Sequence, residues 1–229
     1  MLKSIYENGG FWIGRYEAGL ESGKKPRTTH TDIAEDDKAV IKQNTIPYNY
    51  VTRDEAQLLA TKMGYNDCTS SLIFGIQWDL LLKYIETKNI TVQEILTKNS
   101  TTVGNYYNSE LVLNRGKFAK HGELSKWYDF NSEEKSNLVT SSKKQAQSSY
   151  ENGILLTTGA TDETKLQNIY DIAGNVWEWT LELCNDTFPC VSRGGNFSGD
   201  GSGAIAKSRY YDKENKCYGD IGFRIGLWK

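Results

Sequence analysis

The run Asp171-Ile172-Ala173-Gly174-Asn175-Val176-Trp177-Glu178-Trp179-Thr180 leaves the backbone few options. Gly and Asn both tolerate positive φ, so Gly174-Asn175 reads as a tight turn. Val176 to Thr180 then alternates as a strand with one buried face does. Two readings of the chemistry stand side by side. In one, the turn is purely structural and is stapled by buried tryptophan. In the other, Asp171 and Glu178 fold back from its flanks onto one point and, with turn carbonyls, hold a hard cation such as calcium.

The chain has 229 residues and no Pro-rich or Gly/Ser-rich linker, which fits one domain over residues 1–229. A net charge of -2 with no long run of one sign argues against nucleic acid as a partner. No apolar stretch reaches membrane-crossing length, so direct membrane insertion is not expected, and no signal peptide is read ahead of Phe11. Aromatics make up 12%, with 14 Tyr and 6 Trp, and Asn is abundant. Tyr buries area at small entropic cost while Asn, Ser and Gly adapt, so this composition suits a loop-rich binding surface. Cys68, Cys184, Cys190 and Cys217 form no C-x-x-C pair. Cys184 and Cys190 bracket a loop containing Pro189, a spacing open to a disulfide and equally to two free, partly buried thiols.

Local patterns place the main elements. Residues 11–17 read as a strand, with Phe11, Ile13 and Arg15 on one side, followed by a polar excursion over 18–46. Thr52-Arg53-Asp54-Glu55 is a capping box, Ala56, Leu59, Ala60 and Met63 continue at helical spacing, and Gly64 closes that helix. A second helix is expected over 75–87 with Trp78, Leu81, Leu82 and Ile85 buried, and Thr91 opens a short third one by a second capping box. Residues 99–165 lack pattern, above all the polar tract 131–150, which reads as loop unable to form its own core, with short strands near 109–114 and 153–157. At the end, Phe223, Ile225 and Leu227 alternate with Arg224 and Gly226.

Taken with the run at 171–180, four further segments carry a family resemblance. Phe11-Trp12-Ile13-Gly14-Arg15-Tyr16-Glu17 resembles an opening strand, Pro47 to Thr52 and Gly75 to Asp79 resemble two helix entries, and Ile221-Gly222-Phe223-Arg224 resembles a closing strand. Together they resemble the formylglycine-generating-enzyme-like (sulfatase-modifying-factor) branch of the C-type lectin fold. That resemblance covers nearly the whole chain. It implies an α+β domain with two main helices, small antiparallel sheets, long loops, and paired first and last strands. It also implies the C-terminal module of a longer chain. In the enzymes of this branch, the residue types at Asp171 and Glu178, with the carbonyls of Gly174 and Val176, hold a structural calcium. Here Asp171 stands where Asn is usual. The E-P-N and W-N-D motifs of sugar-binding lectins are absent, so such a calcium would brace the loop and grip no sugar.

The segment after Ser192-Arg193-Gly194-Gly195-Asn196-Phe197 decides between branches. A formylglycine-generating oxidase needs a reactive cysteine pair there to bind copper. The chain offers Ser198, Gly199, Asp200, Gly201, Ser202, Gly203 and Ala204, and Cys217 stands alone too far along, so that oxidase or oxygenase activity is the rejected alternative. The iron-dependent branch uses two His and a carboxylate. His30 and His121 lie in polar loops outside this segment and read as surface residues. The closer resemblance is to the variable proteins of diversity-generating retroelements, ligand binders of phage tail tips or bacterial surfaces. Adenine mutagenesis of asparagine codons there yields Asn, Ser, Gly, Asp, Tyr and Cys. Ser198, Gly199, Asp200, Ser208, Tyr210, Tyr211, Asp212, Asn215, Cys217, Tyr218, Gly219 and Asp220 match that palette and are the expected ligand-binding residues. Arg193, Gly194, Gly195, Arg209, Ile221, Gly222, Phe223 and Arg224 are the expected frame. From the residues alone, an ordinary Gly/Asn-rich loop stands beside this reading. The resemblance implies a non-enzymatic module that requires no cofactor. Its hypervariable patch over about 196–221 would meet a protein or glycan on a cell surface.

Overall fold

The computed structural model describes residues 1–89, 91–130 and 137–229. It is a mixed α+β chain in which short helices are set around several small sheets. Thr52 and Glu55 start one helix, α2 (Arg53–Thr61), by the expected reciprocal cap. The Glu55 amide donates to Thr52 Oγ1 (3.3 Å) and the Thr52 amide to Glu55 Oε2 (2.8 Å). Ala56, Leu59 and Ala60 are fully buried, and the helix ends at Thr61, short of Gly64. The helix α3 (Gly75–Lys88) buries Trp78, Leu81, Leu82 and Ile85 as its spacing predicts. The Trp78 indole N–H donates to the Ala206 carbonyl at 3.0 Å, which ties the helix to the C-terminal loops. A shorter helix, α4 (Val92–Thr97), begins without the expected second capping box. The hydroxyl of Thr91 goes instead to Asn89 Oδ1 (2.7 Å), a nearer local acceptor. The amino-terminal lead-in forms α1 (Leu2–Asn8).

The first and last strands do pair. Trp12–Ile13 runs antiparallel to Ile225–Trp228, whose other edge takes Thr69–Leu72. The opening strand is shorter than the expected 11–17, because Glu17 drops into the interior and Gly14 turns its carbonyl toward Arg224 (2.9 Å). The closing segment is likewise split at Arg224 into Ile221–Phe223 and Ile225–Trp228, which lie in different sheets. The four-stranded sheet runs Arg209–Asp212, Cys190–Arg193, Trp177–Thr180, Ile221–Phe223. Its last pair is parallel, not antiparallel as expected throughout, since the long excursion between those strands brings the chain back in the same direction. Trp177–Thr180 is an inner strand, so residues on both its faces are buried; only Trp177 keeps partial exposure.

The middle of the chain departs most from expectation. Strands form at Leu111–Val112 and Ile154–Leu156 as expected, but also at Lys117–Lys120, Tyr128–Asp129, Val139–Thr140 and Lys143–Lys144. They gather Leu111, Leu113, Phe118, Phe130, Leu138, Val139, Ile154 and Leu156 into a core cluster of their own. These apolar residues are scattered too thinly for a period, and cross-strand pairing collects them. Of the polar tract 131–150, residues 131–136 lie outside the described residues.

Arg224 is fully buried and joins three segments. Its Nε and Nη2 meet both oxygens of Glu178 (2.7–3.1 Å), Nη1 donates to Gly14 O (2.9 Å) and Nη2 to Tyr170 O (2.8 Å). Arg224→Met would strand the Glu178 charge in the interior at a cost of about 3–5 kcal/mol in urea unfolding. Adding Glu178→Gln should recover part of that loss. A single-variant loss below about 1 kcal/mol would show the pair to be dispensable.

Candidate functional site

The expected patch is carried by the edge strand Arg209–Asp212 and the loops on either side of it. What holds that edge in place is a four-charge cluster. Arg193, fully buried and 5.6 Å over the Trp78 ring, donates to Asp79 Oδ1 (2.7 Å) and Glu182 Oε2 (3.0 Å). Arg209 takes the other oxygen of each acid, at 2.8 and 2.6 Å. The two arginines therefore clamp the edge strand to α3 and to the segment after Thr180. Arg193 Nε also donates to Ser208 O (3.2 Å), fixing the end of the preceding loop. This is frame geometry, as expected for Arg193 and Arg209.

The twelve expected ligand-binding residues divide by burial. Tyr210, Tyr211 and Tyr218 are 48%, 45% and 39% exposed and face solvent, and Asn215 is exposed beside them. The Tyr210 ring lies 5.8 Å from that of Trp177, which supports it from within the sheet. Ser198, Gly199, Ser208 and Cys217 are half-buried. Burial and the Asp212 carboxylate raise the Tyr218 phenol above its usual pKa.

The remaining residues brace the patch. Asp212, expected at the binding surface, is buried, because it closes the strand opposite Cys190. Asp200 Oδ1 accepts from Asn108 Nδ2 (3.1 Å) and from the Ser202 amide (2.8 Å) and hydroxyl (2.6 Å). Its Oδ2 accepts from the Tyr107 hydroxyl (3.2 Å). The Ser202 bonds hold its carboxyl below the usual range. Gly219 takes the Asn49 side-chain amide on its carbonyl (2.8 Å), and Asp220 accepts from the Asn196 side chain.

Sequence reasoning missed the platform under Asp200. Lys144 is buried, and its ammonium donates to the carbonyls of Tyr106 (2.6 Å), Ser109 (2.7 Å) and Tyr107 (3.4 Å). Burial pulls its pKa down to about 7, against three carbonyls that each take an N–H. The turn it closes presents Tyr107 and Asn108 to Asp200. A lysine in a polar tract gives no local sign of burial.

The calcium reading was built on Asp171, Gly174, Val176 and Glu178. Gly174 and Asn175 do form the turn, with φ of 70° and 62°. The two carboxylates do not converge on an open point. Asp171 accepts from the Gly159 amide and the Thr164 hydroxyl, both at 2.7 Å, and Glu178 is filled by Arg224. A hard cation needs converging oxygens with no donor between them. Here a guanidinium takes that place, so the set does not fit calcium. The geometry is that of a stapled turn, with Trp179 Nε1 donating to Val51 O (2.9 Å).

All four cysteines are free, including Cys184 and Cys190. Among the described residues, the one group of three potential metal ligands within 4.8 Å is His30, Asp32 and Glu55. It contains neither a cysteine nor a second histidine. His30 sits on Glu55 (3.0 Å), which already serves the α2 cap, and His121 packs on Tyr150 and Phe197 instead.

No family model matches the chain, and no curated protein matches it. Among solved structures it is similar to Treponema denticola variable protein 1, with a TM-score of 0.50 and 14% identity over 96% of this chain and 84% of that one. At that identity the likeness concerns the fold.

Glu17 gives a pH test of the interior beneath the site. Its carboxyl accepts from Asn175 Nδ2 (2.6 Å) and the Val176 amide but has no cation of its own. Burial, then Asp171 and Glu178, raise its pKa well above 4.5. A carboxyl raised on folding adds stability that is complete below the unfolded value and is lost as pH climbs through the folded one. The thermal midpoint should therefore fall as pH rises from about 4.5, and Glu17→Gln should flatten the slope. An identical slope in the variant would mean that Glu17 is ionised in the fold.

Proposed function

We propose that this chain is a non-catalytic ligand-binding module of the C-type lectin fold, of the kind diversified by retroelements. Its exposed edge at 209–218 would contact a protein or glycan on a cell surface, as part of phage receptor binding or bacterial adhesion. One observation carries this: Tyr210 and Tyr211 are exposed on the strand Arg209–Asp212, which buried charge clamps from behind, and Tyr218 is exposed in the loop that follows it. Large aromatics with few rotamers dominate binding energy, and a rigid backing spares them the entropy of ordering. The fold likeness to a chain named variable protein 1 supports the same reading. Within the patch, Ser198, Ser208, Tyr210, Tyr211, Asn215 and Tyr218 are the side chains free to change. Asp200, Asp212 and Gly219 belong with the frame.

The oxidase alternative lacks its residues, since no cysteine pair follows the Arg193-Gly194-Gly195 run. No cofactor is required in this proposal. The thermal midpoint should be the same in calcium and in chelator, and protein purified without added metal should carry no stoichiometric copper or iron.

Replacing Tyr210, Tyr211 and Tyr218 together by Ala should weaken binding to recognised cells or arrayed ligands by about a hundredfold or more while the thermal midpoint barely moves. A large loss of stability would place the tyrosines in the core. A stoichiometric redox metal with turnover of a thiol substrate would replace this reading with the enzymatic one.

A further inference from the structure

Behind Tyr218 the surface opens into a cavity of about 370 Å³. Five separate parts of the chain line it: Thr28; Tyr50; His121 with Leu124; Phe197; and Tyr218 with Asp220. Its size lies near the lower end of small-molecule sites, which run from about 300 to 1,000 Å³, so it suits one side-chain head or one ring. No lysine or arginine lines it, and Asp220 is the acid.

The walls are fixed. Tyr50 is held at a φ of 50°, its amide donating to Tyr218 O (3.0 Å) and its carbonyl accepting from Arg27 (3.0 Å). This sets the phenol over Gly219, where a Cβ would lie 2.8 Å from its oxygen, so only glycine leaves the wall undisturbed. The Trp177 amide donates to Asp220 O (2.8 Å) and anchors the acid to the sheet. Burial raises the Asp220 carboxyl, so its charge gains from a counter-ion brought into the cavity. Aromatic faces attract organic cations, and an anion entering here would meet a carboxylate with no fixed cation.

We infer that this cavity is a subsite for an organic cation, the ammonium or guanidinium head of a lysine or arginine side chain on a protein ligand. Asp220 supplies the opposing charge, and Tyr50 and Tyr218 supply the walls. The inference rests on the binding role of the neighbouring surface and turns the choice of ligand toward protein.

The test titrates the whole chain with the methylamides of Nα-acetyl-lysine, Nα-acetyl-arginine and Nα-acetyl-norleucine, and with methyl glucoside, all at one fixed pH. Side-chain NMR signals of Tyr218 and His121 report binding. The two cationic amides should saturate these shifts, while norleucine amide and glucoside should not. Asp220→Asn should lower the cation affinity by about tenfold or more, the size of one opposed charge in a partly dry site. Norleucine amide binding as well as lysine amide, glucoside binding alone, or no response to either cation would overturn the inference. These comparisons need no variant and so survive a misfolded one. Tyr210→Ala with Tyr211→Ala, outside the cavity, should leave amide binding intact while removing the larger ligand. Failure of the subsite and failure of the patch are thereby separable.

Discussion

A guanidinium sealed from water must find an acceptor for every donor, and Arg224 finds them in parts of the chain that are far apart in sequence. Glu178, Gly14 and Tyr170 all point their oxygens at it. Glu17, Asp171 and Glu178 are all buried nearby, so this one cation faces three carboxyls. The balance is struck chemically. Glu178 shares both oxygens with Arg224, Asp171 is met by an amide and a hydroxyl, and Glu17 is pushed toward its neutral form. The split of the closing strand and the early end of the opening one both follow from serving this group.

A pair of arginines repeats the device nearer the surface. Arg193 and Arg209 share Asp79 and Glu182, one arginine buried and the other half-exposed. The inner cluster fixes the sheet, and the outer cluster fixes the edge strand on it. Buried Lys144 adds a further tie, its side-chain nitrogen closing the turn that supports Asp200. An outward patch with such backing can change side chains without shifting its backbone. The residues that matter to the frame are charged, glycine or buried aromatic, while the displayed ones are tyrosine, serine and asparagine.

Much of the frame was legible from local signals. The Gly174-Asn175 turn, the Thr52 cap, the buried stripe of α3 and the pairing of the ends each follow from a short pattern with one physical cause. Tyr210, Tyr211 and Tyr218 were expected at the surface from the residue palette that the resemblance implies, and all three are exposed. Residue type did not reveal where distant partners engage a side chain. Asp200, Asp212 and Gly219 have the residue types of a variable surface, yet Tyr107, Cys190 and Tyr50 cover or engage them. The arginine that engages Glu178 was hidden for the same reason, because Arg224 lies beyond the reach of any pattern around 171–178.

The sequence by itself therefore determined the Gly174-Asn175 turn, the Thr52 cap, the helical stripe and the chemical palette of the exposed edge, all of which depend on neighbours a few residues away. Tertiary structure alone decided which carboxyl meets which arginine, which tract gains a core of its own, and where a cavity opens beside Asp220. Electrostatic pairing and cross-strand packing act through space, and their partners are separated by tens to hundreds of residues, as Gly14 and Arg224 are.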